Sequence, residues 1–240
     1  MASTYVTLVN QLLRRLNEVA LDTAGDGFGT VKGVQALAKD AINNSIRHIL
    51  QSGQEFPFLK TTYTHTLTAL QQEYSFPSDF SNVDWDSFFL KVHTTAGNEP
   101  RLLSPISYEE FLHKYRVADE TDTTGGAPLL VYQTYEEKFG ISPPPSTDFE
   151  VEYVYFMYPN DLSAYNDTCV IPSRFDHIIV DGAMMYLMRF RSNDVQAQIH
   201  ESNLKEGIRT MRNLLLDDEL SVRSTVVERS NLPRVFSGIN

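Results

Sequence analysis

The feature that most constrains this fold is a change of hydrophobic period part-way along the chain, and its reversal near the other end. Residues 4–21 carry Val9, Leu12, Leu13, Leu16, Val19 and Ala20 at helical spacing, with Arg14, Arg15 and Glu18 facing away. Ser3 or Thr4 can cap this helix. A Gly-rich break follows at 22–30. Residues 31–52 then repeat the pattern through Val34, Leu37, Ala41, Ile42, Ser45, Ile46 and Ile49, with Thr30 as N-cap and Gly53 as the stop. Phe56 and Phe58 come next and are placed to pack beneath this helix.

At Leu59 the period becomes two. Residues 60–68 are β-branched and alternating, 71–77 form a short second strand, and 83–93 predict a third that carries Trp85, Phe88 and Phe89. Residues 100–105 predict a short strand and turn, and 107–115 a short helix capped by Ser107. Residues 118–128 are polar and Gly-rich, which predicts an exposed loop. Strands are expected over 129–134 and 138–141, then a stiff turn at Ser142-Pro143-Pro144-Pro145. Residues 148–157 predict a strong strand with Phe149, Val151, Tyr153 and Tyr155 on one face, closed by Pro159.

Helical spacing returns after Pro172. Ser173 is expected to cap a helix over 174–191 whose buried face is Phe175, Ile178, Ile179, Ala183, Tyr186, Leu187 and Phe190. Asn193 is expected to cap 194–217, where Leu204, Ile208, Met211 and Leu215 make a helix-on-helix seam. From Leu220 no period is visible, yet Val226, Val227, Leu232, Val235 and Phe236 stand among charges. So apolar a tail implies docking, on a partner or back on its own chain.

The expected fold class is therefore α+β, mainly α. An antiparallel helical bundle forms from both ends of the chain, with a β-rich insertion and an extended C-terminal tail. The expected division is 1–58 with 165–219 as the helical unit, 59–164 as the insertion and 220–240 as the docking tail. No internal repeat is visible.

Charge and composition narrow the function classes. The net charge of −11 argues against a surface that grips nucleic acid, does not exclude one that lets DNA pass, and equally fits solubility alone. A single cysteine, Cys169, rules out an intramolecular disulfide and a cysteine-based zinc site, and its apolar flanks predict a small packed residue. No stretch approaches the ~18 apolar residues of a membrane span, and no secretion signal is visible, so folding in a cytoplasm is expected.

Motifs for chemistry are weak. His48, His65, His93, His113, His177 and His200 are scattered, with no helical pair for a metal. The run Gly25-Asp26-Gly27-Phe28-Gly29-Thr30 precedes a helix but follows another helix and lacks the Gly-Lys-Ser/Thr ending of a phosphate loop. Asp22, Asp26 and Gly27 fit three positions of a calcium loop, but Ala24 and Gly33 break it. Asp84 and Asp86 flank Trp85 and would share one face of a strand, a conceivable acid/base pair. Paired solvent-facing acids on a strand are the commoner outcome. No catalytic, cofactor-binding or metal residue is assigned, and no cofactor is expected.

Several segments in order resemble the head-to-tail adaptor (connector) family of tailed phages, the tail tubular or tail accessory proteins. They are Val9 to Glu18, then Gln54-Glu55-Phe56-Pro57-Phe58, then the run from Leu67 through Gln72-Glu73-Tyr74-Ser75-Phe76-Pro77-Ser78-Asp79-Phe80 to Val83-Asp84-Trp85-Asp86-Ser87-Phe88-Phe89-Leu90. Tyr158-Pro159, Asp161-Leu162-Ser163 and Ile171-Pro172-Ser173-Arg174-Phe175 complete the series. The resemblance spans roughly 5–217, and the tail after Leu220 carries no matching motif.

The resemblance implies a structural virion protein of the neck, assembled in the host cytoplasm as a twelve-fold ring under the portal. It implies that the ring prolongs the channel used in DNA ejection, binds a tail nozzle or tail tube protein, offers a further attachment to tail fibres, and sends its C-terminal segment to the portal. Double-stranded DNA would pass without specific binding, and no membrane partner is implied. Two other readings stay open: another neck or tail-completion subunit, and a cell-wall hydrolase acting through Asp84, Asp86 or Glu73.

Overall fold

Two hydrophobic cores organise the computed structural model, which describes residues 2–21, 28–52, 55–91, 99–135 and 138–216. The first core begins with strand β1 (Ala2–Thr4), helix α1 (Tyr5–Arg15) and helix α2 (Val34–Leu50). α1 buries Tyr5, Leu8, Val9, Leu12 and Leu13. It stops at Arg15 because Asn17 turns to a φ of 57° and the Glu18 amide folds back to the Leu13 carbonyl at 3.0 Å. Val19, expected on the buried stripe, is therefore 78% exposed. α2 starts after Gly33, whose φ of +65° only glycine adopts cheaply, so Thr30 is not its cap.

The second core is strand-built. Its elements are β2 (Lys60–Leu67), β3 (Glu73–Ser75), β4 (Phe80–Val83), β5 (Phe89–Leu90), β6 (Arg101–Leu102), β7 (Ser104–Ile106), α3 (Tyr108–Lys114), α4 (Arg116–Thr121), β8 (Leu130–Gln133), β9 (Lys138–Ser142) and β10 (Phe149–Met157). β10 is the hub because its alternation buries Phe149, Val151, Tyr153 and Tyr155 on one face. It pairs antiparallel with all of β2, in a register that sets Tyr153 opposite Tyr63, and on its other edge with β4 and β5. A second sheet runs β3-β9-β8-β7, with β7 and β8 parallel. Stacked rings fill the space between, such as Phe88 on Tyr153 at 4.7 Å and Tyr74 on Phe139 at 5.5 Å.

Strand β11 (Thr168–Pro172), helix α5 (Asp176–Phe190) and helix α6 (Asp194–Leu215) complete the first core. α5 is buried almost all round, between α2 and α6. A Cβ on Gly182 would strike both Ser45 of α2 and Leu204 of α6. α6 lies outermost and buries a single row, Ala197, Leu204 and Met211, at seven-residue spacing.

This architecture corrects the expectation of a mainly α chain built as an antiparallel helical bundle. About 44% of the described residues are helical and 25% are strand, arranged in three sheets, so the protein is α+β without a bundle from both ends. α5 and α6 do pack antiparallel, with Ile178 against Gly207 and Gly182 against Leu204, but α1 and α2 run in the same sense as α5. Contacts advance in the same sense along α1 and α5, from Ser3 with Asp176, to Arg15 with Asp181, to Glu18 with Arg191. The same holds for α2, where Ser45 meets Ile179 and His48 meets Tyr186. The short ribbon of β1 and β11 is antiparallel, with Ala2 opposite Pro172 and Thr4 opposite Thr168, and Ser3 Oγ donates to Asp176 at 2.5 Å, which pins the start of α5 to the strand that leads into α1. An apolar stripe fixes which face is buried and leaves neighbour direction open.

Local expectations divide. Ser107 caps α3 by accepting from the Glu110 amide at 3.1 Å, and Asn193 caps α6 by accepting from Gln196 at 3.3 Å. Ser173 instead opens a one-turn 3-10 segment, Ser173–Phe175, and no side chain caps α5. The loop expected from 118 begins as α4. No described helix is long and apolar enough to cross a membrane.

Candidate interaction surfaces

The residues with conceivable chemistry are kept apart by the fold. Asp84 and Asp86 do not share a strand face, because Trp85–Ser87 is a 3-10 turn that interrupts the expected strand. The Ser87 hydroxyl fixes this turn, donating to the Asp84 carbonyl at 2.5 Å and accepting from the Val154 amide at 2.9 Å. Asp84 lies 3.8 Å from Lys60, Asp86 is exposed, and Glu73 is exposed on the other sheet. A general acid and base need convergent geometry around one substrate atom, and these three side chains do not provide it.

The other candidates are likewise separate. His48 sits 3.2 Å from the Tyr186 hydroxyl, His65 lies among the rings of Tyr74 and Phe139, and His200 faces Asp181 at 3.4 Å. Among the described residues no group of three His, Cys, Asp or Glu side chains could hold a metal. Cys169 is buried on β11, as its flanks predict, and burial pushes its thiol up to about 11, far from a nucleophilic thiolate at neutral pH. Most of the Gly-rich break, including Asp22 and Gly25 to Gly27, and His93 lie outside the described residues.

What the surface does offer is shape for contact. A cleft of about 320 Å³ runs beside the second half of α2, walled by Ile46, Leu50, Pro159, Leu162 and Val170. Arg47 and Asp161 form a two-pronged ion pair at this cleft, with Nε donating to Oδ1 at 2.8 Å. The Arg47 guanidinium holds the Asp161 carboxyl below the usual carboxylate range. Asn43 ties the far wall, donating to the Leu162 carbonyl at 3.0 Å and accepting from its amide at 3.2 Å.

Away from this cleft, α6 leaves Val195 and Ile199 exposed, and Phe190 stands 68% exposed at the α5–α6 corner. A wider groove of about 740 Å³ opens in the strand region, between Trp85, Tyr108 and Tyr135. Apolar and aromatic side chains held at a surface mark protein contacts more often than reaction centres. The tail residues Val226, Val227, Leu232, Val235 and Phe236 lie outside the described residues.

A family model described as SU10 adaptor protein matches residues 3–229. The chain belongs to the SU10 adaptor protein family. The resemblance to phage head-to-tail adaptors read from the sequence motifs is thereby shown, over nearly the whole chain. A search of curated proteins finds no match. As a member of the SU10 adaptor protein family the chain is a phage structural adaptor. The family match continues beyond Leu216, so it takes in Val226 and Val227 but ends before Leu232, Val235 and Phe236. Sequence reasoning missed the groove at Trp85, Tyr108 and Tyr135. Its only trace there is the recurrence of an aromatic beside acids.

Proposed function

We propose that this SU10 adaptor protein forms a closed ring between the portal and the tail of a phage particle, in the neck, and prolongs the DNA channel. The observation that carries this reading is the family match over residues 3–229. Twelve copies are the number that the resemblance to head-to-tail adaptors implies. Its role is structural, and the partners are other copies of itself, the portal protein and a tail nozzle or tail tube protein, with tail fibres as a further attachment.

Ring closure needs two different surfaces on each copy, one on either flank. The α2 cleft and the outer side of α6 are two distinct surfaces of this kind. The net charge of −11 favours a bore that repels phosphate, so that double-stranded DNA passes without specific binding. In this reading residues 1–58 with 165–219 act as one unit, 59–164 as a second, and 220–240 as a tail that docks on the portal through Val226, Val227, Leu232, Val235 and Phe236.

Mixing the purified chain with its portal protein and measuring native mass tests the proposal. A closed multimer on the portal is expected for the full chain, and deletion of Leu220–Asn240 should leave a folded protein that no longer binds the portal. Undiminished portal binding by the truncated chain would remove the tail assignment. A full chain that never joins the portal would remove the adaptor placement.

A further inference from the structure

Two of the three rings around the strand-side groove stand beside two carboxylates each in the described chain, in the runs Asp84-Trp85-Asp86 and Tyr108-Glu109-Glu110. The groove itself, about 740 Å³, is walled by Trp85, Pro105, Tyr108, Glu110, Gln133 and Tyr135. We propose that this groove receives an arginine-bearing segment of a neighbouring virion protein, which rests on the adaptor reading for the presence of such a neighbour.

The rings are braced from below. Tyr135 is 80% exposed, yet it stands edge-on to Tyr108 at 4.7 Å, and Tyr108 leans on Tyr132 at 5.8 Å. Tyr132 in turn stacks on Phe111 at 4.0 Å. Across the groove Trp85 stacks on Phe88 at 5.5 Å. A ring held this way presents its face at little entropic cost, and ring faces attract cations.

Glu110 is the carboxylate of the groove wall among the described residues, with Asp84, Asp86 and Glu109 next to its rings in sequence, and these acids select the chemistry of the occupant. A purely apolar segment would strip water from acids without replacing it, and a nucleic acid would be repelled. A guanidinium can stack on a ring and pair with a neighbouring carboxylate at once, and it is more weakly hydrated than an ammonium. Two of the acids already have partners, Asp84 with Lys60 at 3.8 Å and Glu110 with Lys114 at 2.6 Å. The Lys114 side chain is 63% exposed and can be displaced without breaking packing. Asp86 and Glu109 are exposed.

The test uses the full chain and fluorescence anisotropy with a labelled Gly-Ser peptide carrying arginines, beside the same peptide carrying lysines. Saturable binding of the arginine peptide is expected, about five-fold or more tighter than the lysine peptide, with a loss of about five-fold or more in Tyr135→Ala and a smaller loss in Glu110→Gln. Tyr135 is too exposed for its removal to unfold the protein. Equal binding of both peptides, or binding indifferent to Tyr135→Ala, would reduce the effect to diffuse acidic attraction and overturn the inference. Binding that appears only after deletion of 220–240 would make Arg223, Arg229 and Arg234 of the chain itself the occupant, and would overturn the assignment to a neighbour. Portal binding of the same proteins, measured in parallel, separates this outcome from failure of the adaptor reading.

Discussion

Ser45 on α2 donates its hydroxyl to the Ile179 carbonyl of α5 across a fully buried 2.7 Å contact. One turn further along α5, Gly182 leaves room for that serine, since a Cβ there would meet the Ser45 hydroxyl. The bare Gly182 backbone lets α2 and α6 both close on α5 at this point. Ser45→Ala is expected to lower stability by about 1 kcal/mol, the net worth of one hydrogen bond. Gly182→Ala should cost about 1–3 kcal/mol through overpacking against Ser45 and Leu204. Denaturant unfolding of both variants checks the order, and a harmless Gly182→Ala would mean that α5 is not so enclosed.

Asp176 supplies a pH test. It is 9% exposed, and burial raises its carboxyl above the usual range against the lowering effect of hydrogen bonds from Ser3 and Gln11. For an acid with a raised folded-state value, the native fold favours the protonated form. Its stabilising effect is therefore present at acid pH and declines as pH rises from the unfolded value through the folded one. Asp176→Asn should match the parent near pH 3.5 and exceed it in stability at pH 7. Thermal unfolding over that range decides, and a variant less stable at pH 7 would show that the charged carboxylate is the favoured species.

Tyr153 tests the strand-built core. Its ring is fully buried against Phe88 and Phe139, but its hydroxyl has no hydrogen-bond partner among the described residues. Tyr153→Phe should be neutral or slightly stabilising, because it removes an unmatched polar group. Tyr153→Ala should cost about 3–5 kcal/mol for the cavity. A Phe variant as damaging as the Ala variant would reveal a polar partner for that hydroxyl.

Much of the architecture was legible where a local pattern and the tertiary packing agree. The alternation of Phe149, Val151, Tyr153 and Tyr155 specifies the buried face of β10, and Ser107 and Asn193 cap the helices they precede. Failures came from long-range determinants. β1 is three residues long and owes its strand geometry to β11, more than 160 positions away, so nothing local marks it. The shared direction of α1 and α5 is likewise set by tertiary contacts that no helical stripe encodes. The stretch from Val83 looks like one strand, but the Ser87 hydroxyl bonded to Val154 of β10 folds Trp85–Ser87 into a turn. The groove was illegible for a related reason: Trp85, Tyr108 and Tyr135 come from three separate segments that only the sheets bring together.

The central claim is that this chain is a ring-forming part of the phage neck, and reconstruction of the purified particle by electron cryomicroscopy tests it most directly. The expected result is a closed ring of this chain seated between portal and tail, with the α2 cleft of each copy turned towards the next. A particle that lacks the chain, or carries it as single copies away from the portal, would contradict the account.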